Sequence, residues 1–158
     1  MTDPDTYIES RRNAILEYIR DYKLKMKDIN CSTHTIRRIK LRDQITMKTI
    51  DEVYESLVKI TGERKSVEGD QFNIWMQHIA WEFEDAQEEY NLKDADVCRI
   101  ISMDQYKYSK MKKNIGKSRG RLIYHKLQVL LNKEDLKEKK YKPKYTSILS
   151  YWRINKQQ

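Results

Sequence analysis

Lys93-Asp-Ala-Asp-Val-Cys-Arg-Ile-Ile-Ser-Met-Asp-Gln-Tyr-Lys-Tyr-Ser-Lys-Met-Lys112 is the stretch on which the reading of this chain turns. Val97 and Cys98 stand four and three residues before Ile101, the spacing of one buried side of a short helix over 94–101. Ser102-Met103-Asp104 reads as a tight turn. Asp104 is placed to accept hydrogen bonds from the free first-turn N–H groups of a second helix, Gln105 to about Asn114. That helix has Tyr108 and Met111 as its inner side and leaves Gln105, Tyr106, Lys107, Lys110, Lys112 and Lys113 over for another face. Two helices that cross steeply over so short a turn need a small residue where they approach; Cys98 supplies it, and Met103 plugs the space beneath the turn.

Working outward, Phe72, Trp75, Met76, Ile79, Phe83, Ala86 and Tyr90 step by threes and fours and predict a long helix capped by Asp70. Ile74 and Trp81 lie off that stripe, so the helix has a second apolar contact to satisfy, which a partner chain can provide. Glu82, Glu84, Asp85, Glu88 and Glu89 read as a solvated acidic face, and His78 and Glu82, one turn apart, as a surface contact. Beyond the loop 114–118, Leu122, Ile123, Leu127, Leu130 and Leu131 predict a helix from about Arg119 to Leu131. Residues 132–158 form a basic, aromatic tail whose segment 146–154 is too apolar to hang free, so it is expected to pack or dimerise.

The first half repeats the plan. Ile15, Leu16, Ile19 and Tyr22 give an amphipathic helix over 11–22, and residues 24–29 a short second helical piece. Ser32 caps a helix from Thr33 to about Arg42 with Ile36 and Ile39 inside. Ile50, Val53, Tyr54, Leu57 and Ile60 then stripe a helix over 47–60 that Gly62 stops. Tyr22 and Leu24 match Tyr90 and Leu92 at an offset of 68, Ile36 and Ile39 match Tyr108 and Met111 at 72, and Ile50, Tyr54 and Leu57 match Ile123, Leu127 and Leu130 at 73. The step of four between the first two offsets is about one helical turn. The organisation expected is therefore all-α: two small helical bundles, 1–61 and 70–131, a glycine-bearing linker at 62–69, the long helix connecting them, and the tail 132–158.

Residues 93–112, with a helix before and one after, resemble the lambda-repressor/Cro type of helix-turn-helix; Ser102 stands where Gly is usual, and Tyr108 is larger than the usual Ile or Val. Residues 11–61 resemble the same family with a shortened first motif helix, and Ser32-Thr-His-Thr-Ile-Arg-Arg-Ile-Lys40 is typical of its recognition helix. The resemblance implies sequence-specific duplex DNA binding, usually as a homodimer and usually to repress transcription. Side-chain chemistry agrees. Arg37 or Arg38 can bond guanine bidentately, Thr33 and His34 can reach base edges, and Lys40 or Arg42 can meet phosphates. In the second half Gln105 can pair with adenine beside Tyr106 and Lys107. Lys110, Lys112, Lys113, Lys117, Arg119 and Arg121 suit phosphates, the last three near a helix start. Ordinary solvated basic faces are the competing explanation.

Of 158 residues, 32 are Lys or Arg and 24 are Asp or Glu, but the excess is uneven: +3 over 1–66, −8 over 67–98 and +13 over 99–158. Such a pattern suits an anionic partner for the last segment and a basic partner for the acidic face 82–96. Four Gly and two Pro disfavour a turn-rich β fold, and no apolar window is long enough to span a bilayer. Cys31 and Cys98 are too few for a disulfide scaffold and read as small core residues, so a cytoplasmic setting, with no secretory signal, is expected. His34, His78 and His125 have no metal-ligand spacing with the cysteines, and Gly116-Lys117-Ser118 lacks the first glycine of a P-loop, where Met111 stands. The acidic residues lack a partnered base, so the chain is expected to be no enzyme and to need no cofactor.

Three functions fit this pattern. The first is a phage, plasmid or bacterial transcriptional regulator, most simply a repressor. The second is a phage-type inhibitor of host defence, such as an anti-CRISPR protein, that binds a host protein or nucleoprotein and can also repress its own operon. The third is RNA binding through Tyr141, Tyr145, Tyr151 and Trp152 of the tail.

Overall fold

The first helix begins before its amphipathic stripe does. Asp3 and Pro4 set it going: the Asp3 carboxylate accepts from the Thr6 amide at 3.0 Å, and Pro4 at the first position has no N–H to leave unsatisfied. The amide and hydroxyl of Thr6 hold the Asp3 carboxyl below its ordinary pKa. Helix α1 therefore runs Pro4–Asp21, seven residues earlier than its apolar spacing indicated. In the computed structural model, which describes residues 1–114 and 119–133, six further α-helices follow: α2 Thr33–Leu41, α3 Met47–Thr61, α4 Phe72–Glu89, α5 Asp94–Ile101, α6 Gln105–Lys113 and α7 Gly120–Leu131. No strand occurs among the described residues, and the fold is all-α.

The chain divides into two compact units, Thr2–Gly69 and the part from Asp70 onward. In the first, α1 packs on α3 and α2. Its core is Tyr7, Ile8, Ile15, Tyr18, Ile36, Ile39, Ile50, Val53, Tyr54 and Leu57. The short piece expected at 24–29 is a single 3₁₀ turn, Met26–Asp28. Ile60, placed on the buried stripe by spacing, is 45% exposed, because α3 reaches its last turn there and Gly62 takes the left-handed φ of 74° that ends it.

Residues 62–69, read from glycine content as a linker, fold back onto this unit. Tyr18 donates its hydroxyl proton to the Glu63 carbonyl at 2.7 Å and accepts from the Lys65 amide at 2.8 Å, and the Glu68 amide donates to Ser10 Oγ at 2.7 Å. The Tyr54 hydroxyl bonds the Lys65 carbonyl, and the Lys65 ammonium pairs with Asp21 at 3.1 Å. Glycine content identified the turns, whereas most of the partners that hold the segment lie 44–58 residues away.

In the second unit α4 packs on α7, and α5 on α6 and α7. Trp75 stacks on Tyr124 and Phe83 meets Tyr108 edge to face. The cap of α4 is Gln71 rather than Asp70, with no side-chain hydrogen bond. Leu122 is 46% exposed, the spacing of α7 giving the inner side to Ile123, Leu127 and Leu130. The larger departure is on α4. His78 and Glu82, read as surface groups, are 2% and 1% exposed, with Nε2 and Oε1 3.7 Å apart. Ala80 between them is buried as well. No described helix is long and apolar enough to cross a membrane.

Candidate nucleic-acid interface

Helix α2 owes its form to both of its ends. At the start Ser32 Oγ accepts from the Thr35 amide at 3.1 Å. At the finish Arg42 adopts the left-handed conformation at φ 57°, and the last carbonyls turn inward to a buried guanidinium. Arg12 Nη1 donates to the Arg38 and Ile39 carbonyls at 2.9 and 3.1 Å, and Nη2 to the Asp43 carbonyl at 3.0 Å. A helix leaves its last four carbonyls without intrahelical partners, and a cation there also opposes the helix dipole. Glu9 completes the arrangement, accepting from Arg12 Nε at 3.0 Å and from Arg42 Nη1 at 2.6 Å. Arg42, expected at phosphates, is thus held by Glu9 and by Asn13 Oδ1 at 3.3 Å.

With Ile36 and Ile39 buried, α2 exposes Thr33, His34, Arg37, Arg38 and Lys40. His34, Arg37 and Arg38 line an open depression of about 550 Å³ together with Leu41, Asp43 and Gln44. Lys40 is exposed outside its lining.

The second unit builds a matching short helix by other means. Asp104 accepts from the amides of Tyr106 and Lys107 at 2.7 and 3.3 Å. Tyr108, buried, donates its hydroxyl proton to Gln87 Oε1 at 2.6 Å; Gln87 Nε2 donates to Asp94 Oδ1 at 2.9 Å, and Lys112 Nζ donates to the same oxygen at 2.9 Å. This network ties α6 to α4 and α5. It also engages Lys112, expected at phosphates: its ammonium is paired with Asp94 and lies 4.6 Å from the centre of the Tyr108 ring. Burial raises the Tyr108 phenol above its ordinary pKa. Lys126 Nζ donates to the Ile101 carbonyl at 2.7 Å at the end of α5. Gln105, Tyr106, Lys107, Lys110 and Lys113 are exposed on α6; Tyr106 is 68% exposed, and the Lys110 ammonium lies 5.1 Å from its ring centre. Arg119 and Arg121 are exposed at the start of α7, and Lys117 lies outside the described residues, as does the tail from residue 134.

The chain matches no protein-family model, no curated protein and no solved structure. Function therefore has to be argued from these two faces. Among the described residues no group of three or more His, Cys, Asp or Glu side chains could hold a metal ion. The acidic face read over 82–96 loses Glu82 to the interior and Asp94 to Lys112, which leaves Glu84, Glu88 and Glu89 exposed.

What sequence reasoning missed is the support behind the faces: Arg11, Arg12 and Gln87. The arginines carried a signal, since Arg11 stands four residues after Tyr7 and seven before Tyr18, on the buried stripe. The second network can be tested through pH. The hydrogen bond from Gln87, and after it that from Lys112, hold the Asp94 carboxyl below its ordinary range. A carboxyl whose pKa falls on folding adds stability above its unfolded value, about 3.9, that is lost as pH falls through the lowered folded value. Asp94→Asn is accordingly expected to lower the melting temperature at pH 7, with the gap from the wild type closing at pH 3. A gap of equal size at both pH values would show that the carboxylate charge contributes nothing.

Proposed function

We propose that this chain is a sequence-specific duplex-DNA-binding regulator, acting through helix-turn-helix-like units, most simply as a repressor of a phage, plasmid or bacterium in the cytoplasm. What carries the reading is α2, a nine-residue helix anchored at both ends whose outward side offers Thr33, His34, Arg37, Arg38 and Lys40. A rigid short helix presenting two arginines and hydrogen-bonding groups at its start is what the major groove accepts. Electrophoretic shift of DNA from the protein's own locus tests it. Neutralising about five phosphates gives a log–log salt slope of about −4.5. Arg37→Ala or Gln105→Ala is expected to reduce preference for native over random DNA. Equal binding of both DNAs by the wild type and the variants would refute specific regulation. The homodimer that usually accompanies this motif is not needed for the reading, because one chain already carries two such helices.

The inhibitor reading draws on the exposure of Glu84 and Glu88, one turn apart on α4, with Glu89 beside them. That face suits a basic host protein or nucleoprotein. It predicts a stable host complex that Glu84→Lys with Glu88→Lys abolishes while the DNA shift persists.

A further inference from the structure

We infer that one chain reads a two-part, non-palindromic duplex, with α2 and α6 each taking a different half-site. The inference rests on the DNA-binding reading above and adds the kind of sequence bound. Its basis is local geometry repeated cap by cap. Helices α1 and α4 are both 18 residues long. Each ends on a tyrosine, Tyr22 or Tyr90, followed by a non-glycine residue in the left-handed region, Lys23 at φ 49° and Asn91 at φ 52°. The amides of Leu24 and Leu92 then return to the Ile19 and Gln87 carbonyls at 3.0 and 2.8 Å. Immediately after, the amides of Lys25 and Lys93 donate to the Asp28 and Asp96 carboxylates, both at 2.9 Å. The positions in each of these pairs, the Ile19 and Gln87 acceptors included, are 68 residues apart.

After the turn the separation grows from 68 to 72, and then to 73 between α3 and α7. The first copy has the 3₁₀ turn of three residues where the second has the eight-residue α5, and from there the caps Ser32 and Asp104 are 72 apart, each opening a nine-residue helix. Left-handed residues other than glycine are uncommon; Lys23 and Asn91 recur at one offset with the same flanking bonds, whereas Arg42 and Ser102 do not, so the likeness is carried by the first helix of each unit and the turn that follows it.

The reading faces have diverged on this shared scaffold. Helix α2 offers His34, Arg37 and Arg38, and α6 offers Gln105, Tyr106 and Lys110. Arginine matches guanine bidentately and glutamine matches adenine, so the two faces do not select the same bases. A palindrome serves two identical helices from two subunits; two unlike helices in one chain call for two unlike half-sites. Only Asp70 and Gln71 separate α4 from Gly69, whose carbonyl Arg11 holds at 3.2 Å.

Selection from random duplexes by the full chain, followed by native mass spectrometry of the complex, tests this. The expected result is an enriched site with two unlike segments and one chain per duplex. Arg37→Ala with Arg38→Ala should relax preference by about tenfold or more in one segment, and Gln105→Ala with Tyr106→Ala in the other. All four side chains are exposed, so the fold is expected to tolerate the changes, which circular dichroism would verify. A palindromic site with two chains, or both double variants relaxing the same base pairs, would overturn the two-part reading and leave DNA binding standing. No enriched sequence at all would overturn both.

Discussion

Arg11→Ala is expected to cost the first unit about 3–5 kcal/mol, the range for removing one partner of a buried ion pair. The side chain is 1% exposed and every direction of its guanidinium is used. Nε donates to Asp51 Oδ1 at 3.1 Å, Nη1 to the Glu68 carbonyl at 2.7 Å and Nη2 to the Gly69 carbonyl at 3.2 Å. Its carbon sits 3.5 Å from the centre of the Tyr7 ring, and burial pushes the Tyr7 phenol above its ordinary pKa. Alanine leaves the Asp51 carboxylate without its guanidinium and removes the donors that bind 68 and 69 to α1. Gly69 is adapted to this closure: its φ of 89° turns the chain, and a Cβ there would come within 3.1 Å of Thr2.

The exposed pair Arg20–Asp21 on the same helix is the contrast; Arg20→Ala should cost no more than about 1 kcal/mol. Chemical denaturation separates the units because Trp75, Trp81 and Trp152 all lie beyond residue 69. For Arg11→Ala the transition followed by circular dichroism is expected to shift more than that followed by tryptophan emission. A loss below about 1 kcal/mol would show that the guanidinium is not the closure of this unit. Replacing both partners by apolar residues, Arg11→Met with Asp51→Leu, should recover much of the loss, since no buried charge is then stranded.

How far the fold was legible follows from where its information lies. Periodicity located every described helix, and caps fixed the starts of α2 and α6, because Ser32 and Asp104 act on amides two or three residues away. Local chemistry also placed the exposed polar faces: once Ile36, Ile39, Tyr108 and Met111 go inside, most of the other side chains of each short helix face out, Lys112 excepted. The failures share another cause. Arg12, Gln87 and Lys112 are polar side chains whose surroundings are set by residues on other elements, as with Arg12 and the carbonyl of Asp43, 31 positions on. A polar residue on an apolar stripe is the visible trace of such a group. Reading it as solvated is the ordinary inference and, at Glu82, the wrong one.

Arg12 joins that hidden layer to the end of α2, and Arg12→Met is expected to cost about 2–4 kcal/mol while loosening α2 more than the rest of its unit. Methionine keeps most of the apolar stem and fills the site, so the loss measures the guanidinium. Its three carbonyl partners at Arg38, Ile39 and Asp43 span the end of α2 and the start of the loop to α3, and no single neutral group bonds all three. Arg12→Lys offers a point charge that cannot reproduce the planar fork, so it should restore only part of the stability. Hydrogen exchange should show the α2 amides losing protection more than those of α1 or α3. If α2 reads bases, its loosening has a particular signature in binding. The number of phosphates met by the chain does not change, so the salt slope should stay near that of the wild type, while preference for the selected sequence falls about tenfold. A simple loss of folded protein lowers binding to all DNA alike. The ratio of specific to random binding therefore tells the two apart: if it is unchanged in Arg12→Met while total binding drops, Arg12 holds the unit together but does not aim its recognition helix.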